Sequence, residues 1–343
     1  MIMRIKILRL LIMFLLPAGV MFSQDFHYSQ FYNEPLNFNP ALTGAFDGDQ
    51  RAIMSIRDQY RSVSYPYFTF SGNYDIKLLP NREVPGYFSV GAIFNYDKQG
   101  SAHITLFNLN LTGSYTYFVN EHNLLSAGVM LGVANRGFST EDLWWDSNWS
   151  EADGIASKRF PPNEPFDRYR FTYLETGLGV NYRYQHSPRN NFYLGAGLSH
   201  LNQPSHNFYS NYTGDDKLDM RFSLLGGANI KLMESLDLLV NALYQKQDVY
   251  EETVLGGGLK LYINQKRGKN YAVEVNFMSR LDEGISPAVG FYYNEWFVSM
   301  NYDVVTKKNL SDYTNYRGGP EVHVRYILKK VRPLRDLKIC PIY

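Results

Sequence analysis

The chain has 343 residues, enough for one large barrel or two ordinary globular domains. Its 34 Lys and Arg against 33 Asp and Glu leave a net charge of +1, which removes any electrostatic argument for binding nucleic acid or an anionic surface. Aromatic residues make up 16% of the chain, with 28 Tyr and 22 Phe, more than a soluble core needs and suited to the two interfaces of a membrane barrel.

The first 23 residues read as a secretion signal. Arg4, Lys6 and Arg9 form its positive region, residues 10–16 are an unbroken apolar run, and Ser23 is a small residue suited to a cleavage site. The apolar run is shorter than the roughly 20 residues of a membrane-spanning helix. Residues 24–50 follow, with Asn and Pro in a pattern that suits turns, as a periplasmic segment that partly plugs a lumen.

Residues 51–330 alternate in the manner of barrel strands. Phe88, Val90, Ala92, Phe94 and Tyr96 form one set and Tyr87, Ser89, Gly91, Ile93, Asn95 and Asp97 the other. Phe107, Leu109 and Leu111 alternate with Asn108, Asn110, Thr112 and Ser114, and Val275 and Phe277 with Glu274 and Asn276. The apolar set faces lipid and the polar set the lumen, since Lys or Arg on the lipid face at mid-bilayer costs about 2–4 kcal/mol. Fourteen such runs begin near Arg51, Tyr65, Gly86, His103, His122, Arg170, Asn190, Lys217, Ser235, Glu252, Asn270, Ile285, Trp296 and Gly319. Every second connection is expected to be short, with the longest ones (139–169, 202–216 and 306–318) on the other, extracellular side. Residues 331–343 form a periplasmic tail carrying the single cysteine, Cys340, whose expected state is a packed thiol.

Several short stretches carry a resemblance. The N-terminal Gln24-Asp25-Phe26-His27-Tyr28-Ser29-Gln30-Phe31-Tyr32, then Asn39-Pro40-Ala41-Leu42-Thr43-Gly44, and Arg57-Asp58-Gln59-Tyr60 in the first strand, resemble the PorP/SprF family. Tyr302-Asp303, Gly318-Gly319-Pro320-Glu321 and Cys340-Pro341 are similar to it in the same order. Tyr60 departs from it, standing where that family often has Trp. The resemblance implies an integral outer-membrane component of the type IX secretion and gliding machinery of Bacteroidota. Its partners would be periplasmic ring and motor proteins or a large surface adhesin, besides the surrounding outer-membrane lipid. It also implies structural roles for Gln30, Phe31, Asn39, Pro40, Arg57, Gln59, Gly319, Pro320 and Glu321.

Chemistry is weakly signalled. The seven histidines lack zinc-ligand spacing, Gly214-Asp215-Asp216 is too short to specify a Ca²⁺ site, and Gly256-Gly257-Gly258 lies within a strand rather than in a phosphate loop. Neither a metal, a cofactor nor an enzymatic activity is expected, since nothing in the sequence assembles a nucleophile, base and carboxylate. Trp144, Trp145, Trp149 and Phe160 in the loop 139–169, with Cys340, are candidate contacts for a partner, the tryptophans serving equally well as an interfacial belt. Arg57, Gln59 and Arg61 are read as an inward set that pairs with acidic groups of the N-terminal segment or meets water. The expected protein is a non-enzymatic barrel that aids export or surface anchoring of cargo; the competing expectation is a FadL-like or porin-like channel for small solutes, and an obstructed lumen separates the two.

Overall fold

The computed structural model describes residues 27–329, apart from 62, 64, 79–84, 141, 145–148, 151–154, 157–167, 209–216 and 267–268, and apart from the side chains of 149, 150, 155, 156 and 309. The proposed signal, the tail with Cys340, and Trp145, Phe160 and the 214–216 stretch therefore lie outside the described residues.

Among the described residues, fourteen strands form one closed antiparallel barrel. They are β1 (Gln50–Gln59), β2 (Tyr67–Lys77), β3 (Gly86–Gln99), β4 (Ile104–Phe118), β5 (Asn123–Gly137), β6 (Arg170–Ser187), β7 (Asn190–Ser199), β8 (Arg221–Met233), β9 (Leu236–Gln247), β10 (Tyr250–Lys266), β11 (Lys269–Arg280), β12 (Gly284–Tyr293), β13 (Trp296–Val305) and β14 (Arg317–Leu328). Each strand pairs with its neighbours in sequence, and β1 pairs with β14 to close the ring, so no backbone edge is left open to lipid. The expected strand number and the expected faces both hold. Leu109, Leu111, Val275 and Phe277 are exposed on the outside, while Asn108, Asn110, Glu274 and Asn276 are buried inside. Exposed aromatics gather towards the strand ends. Trp296 packs on Tyr326 and Tyr271 stacks on Tyr293 near one rim, and Tyr67 and Tyr302 stand near the other, with Leu, Val and Met between them. This is the arrangement that two membrane interfaces and a hydrocarbon band require.

At the end that carries the longest loops the connections vary in length. The loops 138–169, 200–220 and 306–316 are long and share one end of the barrel, but Asp248 and Val249 alone join β9 to β10 at that same end, and residues 281–283 join β11 to β12. The reason is local: Asp248 and Asp282 adopt positive φ, so left-handed residues close these hairpins tightly. The long loop after β13 contains a helix, α1 (Lys308–Thr314), and the loop 138–169 contains a two-residue ladder, Trp149–Ser150 against Ile155–Ala156.

The apolar core is inside the barrel rather than between layers. Phe31, Leu36, Phe38 and Leu42 of the N-terminal segment pack against Ile93, Met130, Leu225, Leu243, Val254 and Met278, which project inward from β3, β5, β8, β9, β10 and β11. An inward apolar residue is unfavourable in a water-filled lumen and favourable against an apolar insert, at about 25 cal/mol per Å² removed from water. The core therefore holds the segment across the lumen.

Candidate functional site

The site grows from the local chemistry of residues 27–49. Three short 3-10 turns, Phe31–Asn33, Pro35–Asn37 and Pro40–Leu42, let the segment fold on itself without a helix. Pro35 and Pro40 stand at first-turn positions where a missing N–H costs nothing. Asn39 caps the third turn, its Oδ1 accepting from the Ala41 N–H at 2.9 Å, while its Nδ2 donates to the Val180 carbonyl on β6 at 2.9 Å. The wall opposite is made of glycine because the backbone of the turn presses on it. A Cβ on Gly197 would lie 2.2 Å from the Phe38 carbonyl oxygen, and one on Gly128 would lie 2.5 Å from Pro40 and Ala41.

The segment is fastened at the seam where the first and last strands meet. Glu321 on β14 accepts the backbone N–H groups of Ser29 (3.1 Å) and Gln30 (3.0 Å). Arg57, directly opposite Glu321 in the β1–β14 register, bridges it at 3.4 Å and Asp303 of β13 at 2.7 Å, and donates to the His27 carbonyl at 2.5 Å. Ser29 Oγ donates to Asp303 at 2.7 Å, and Gln59 reaches the same carboxylate at 3.4 Å. The Gln30 side chain donates to Asn301 at 2.5 Å and accepts from Asn33, Tyr32 and Ser299 at 2.9–3.0 Å. Each of these charges is buried and paired, the condition under which a buried ion is tolerated.

Beside this lock, a row of side chains joins two carboxylates. His323 Nε2 lies 2.6 Å from Glu321, its Nδ1 lies 2.5 Å from Ser55 Oγ, and Ser55 bonds Glu34 of the segment. Glu34 also accepts from Ser71 at 2.9 Å and from Asn73. Ser55 has one hydroxyl hydrogen and stands between His323 and Glu34, so it links the two through a single oxygen. A serine, a histidine and a glutamate in contact have the composition of a hydrolytic triad. Here all three are buried under the segment, and the Ser55 hydroxyl is engaged by the Glu34 carboxylate, so the arrangement serves docking. Sequence reasoning missed this row because 268 positions separate Ser55 from His323, and only barrel closure sets them opposite each other.

The family-motif residues thus divide clearly. Gln30, Phe31, Asn39, Pro40, Arg57, Gln59 and Glu321 converge on the lumen. Gly319 lies against β1, where an added Cβ would meet the Asp58 carbonyl at 2.0 Å, and Pro320 is exposed outside. The expectation that Arg61 points inward is corrected: β1 ends at Gln59, Tyr60 takes φ 58°, and Arg61 leaves the alternation to pair with Asp58 in the exposed turn. The acidic partners of Arg57 are likewise wall residues, Asp303 and Glu321, while the N-terminal segment contributes a carbonyl. Trp144 is exposed on the loop after β5, and Trp149 lies in the small ladder with its side chain outside the described residues. Among the described residues no group of three or more His, Cys, Asp or Glu is arranged to hold a metal ion.

With this geometry in hand, three comparisons apply. The family model described as type IX secretion system membrane protein PorP/SprF matches residues 20–326. No curated protein matches the chain. Among solved structures the chain is similar to the Pseudomonas putida toluene transporter TodX (10% identity, 88% of this chain and 94% of that one, TM-score 0.46), to a Pseudomonas aeruginosa FadL homologue (11%, 84% and 92%, 0.45) and to the CymD monoaromatic hydrocarbon channel (12%, 87% and 93%, 0.46).

Proposed function

Since the chain belongs to the PorP/SprF family of type IX secretion system membrane proteins, we propose that it is a non-enzymatic outer-membrane component of that secretion and gliding machinery, which aids export or surface anchoring of C-terminal-domain cargo. The observation that carries the reading beyond family membership is the filled lumen. Phe31 and Phe38 sit fully buried at its centre, and Glu321, Arg57 and Asp303 tie the segment to the seam. A barrel obstructed in this way works through its rims, loops and periplasmic ends rather than as an open path for small solutes. Its partners are then other type IX components or a surface adhesin. They are met on the extracellular side by the loop bearing Trp144, Trp145, Trp149 and Phe160, and on the periplasmic side by the tail with Cys340, after cleavage of the signal at residue 23. The long-loop end is the extracellular one in this reading, and the short-turn end, where β1 begins and β14 ends, is periplasmic.

The test is a clean deletion, complemented by the intact gene, with secreted and surface proteomes quantified against the parent. Broad loss of cargo bearing C-terminal sorting domains is expected for a core component, and loss of a single large adhesin for a dedicated partner. An unchanged proteome in both fractions, in a strain without a paralogue, overturns the proposal.

A further inference from the structure

One lumenal feature lies apart from the seam lock. At the short-turn end, a cavity of about 220 Å³ opens between the end of the N-terminal segment and the short-turn ends of β2 to β6. Lys77, the final residue of β2, and Arg183, near the end of β6, both line it. The Lys77 ammonium donates to the Phe46 carbonyl and lies 4.8 Å and 5.2 Å from the ring centres of Phe46 and Tyr87. The Arg183 Nε is buried with no hydrogen-bond partner, and its guanidinium stands 5.9 Å from the Tyr193 ring.

Neither cation forms a salt bridge among the described residues, and two acidic groups at this end, Asp75 and Asp47 (the latter also lining the cavity), have partners of their own. Asp75 takes two bonds from Arg51, at 2.9 and 2.8 Å, and a third from the Gly44 N–H. Asp47 is held by Lys329 at 2.5 Å on the rim. A third polar group is incomplete as well: Asn181 on β6 is 3% exposed, lines the same cavity, and has neither amide atom bonded. Buried donors are ordinarily satisfied, and a buried cation without a counter-charge is costly. A guanidinium, an ammonium and a carboxamide around one small space are what a negatively charged oxygen group would complete.

We propose that this cavity is a binding site for a small oxyanion-bearing ligand, a carboxylate or a phosphate monoester, which enters from the short-turn end. Its oxygens lie between Arg183 and Lys77, Asn181 Nδ2 donates to one of them, and the apolar remainder rests against Phe118 and Leu124. The site goes beyond the secretion role and does not depend on it.

The full-length protein in detergent supplies the test. Its thermal unfolding is followed against inorganic phosphate and, separately, acetate, with ionic strength held constant by chloride. A saturable rise in Tm with at least one oxyanion, absent with chloride alone, is expected, and the apparent affinity should fall at least tenfold in Arg183→Gln and in Asn181→Ala. Without anion, Arg183→Gln should melt at or above the parent, because it removes a half-buried charge that forms no salt bridge among the described residues. A response to phosphate alone assigns the phosphate class, and a response to acetate alone the carboxylate class. The proposal is overturned if neither oxyanion gives a saturable shift, or if the shift survives undiminished in either variant; should Arg183→Gln not fold, Asn181→Ala decides alone.

Discussion

Glu321 has four partners at once: the opposite-strand Arg57, the neighbouring His323, and two consecutive backbone N–H groups of the inserted segment. Replacing it by an uncharged amide leaves Arg57 with Asp303 as its one remaining carboxylate and presents an NH₂ where an acceptor was. Breaking a buried pair from one side typically costs about 3–5 kcal/mol. Glu321→Gln should therefore lower the hydrogen-exchange protection of Ser29 and Gln30 at least tenfold while the strand amides stay protected. Exchange measured residue by residue on the purified barrel checks this, and equal loosening of plug and strands would show that Glu321 supports the wall instead. Phe31→Ala acts on the apolar half of the same docking. Its side chain is fully buried among inward-facing residues, so about 3–5 kcal/mol of docking energy should be lost, read as a fall in protection confined to residues 28–44.

Among the elements, the strands were the easiest part to foresee, because a barrel wall writes its period of two directly into the chain. Every one of the fourteen run starts falls within four residues of an observed strand start, from Gln50 to Arg317. The site was legible only in part. Ile93 stands in the inward set of β3, and Met130, Leu225, Leu243, Val254 and Met278 occupy equivalent inward positions, yet alternation alone does not say why a polar lumen should carry them. Apolar residues on the wet face of a barrel strand are the signature of an insert, and that signal was present to be read. Ser55 and His323 were not legible, since their partnership exists only through closure of β1 on β14. The glycines of β5 and β7 make a prediction at this scale. Gly197→Val places branched carbons where the Phe38 carbonyl now lies, which should lift the Pro40–Leu42 turn off the wall while the barrel still forms. Limited proteolysis within residues 35–45, resisted by the parent and rapid in the variant, is the expected outcome. Deleting residues 27–46 goes further, and should turn a closed barrel into one with measurable single-channel conductance in a planar bilayer.

For the whole molecule, the question is whether the plug stays in place during work. The network at the seam, the glycine wall and the shared apolar core all bind one conformation, and nothing in the proposed role requires its release. Thr43 Oγ1 lies 2.9 Å from Thr112 Oγ1 on β4, so a Thr43→Cys, Thr112→Cys pair offers a covalent tether between plug and wall. The oxidised pair is expected to support normal cargo secretion in the complemented deletion strain. Loss of secretion that returns on reduction would instead make plug movement part of the cycle.

The seam lock also sets an order of assembly. The residues held at the seam are among the earliest of the chain, and Glu321 and His323, which receive them, belong to the last strand. The part of the lock made by Glu321 and His323 therefore forms only when β14 pairs with β1, whereas the contacts to β1, β2, β4 and β6 do not need the last strand. Completing the lock is thus coupled to barrel closure, and a barrel held open at the seam should cut more readily around Ser29 and Gln30 than the closed one.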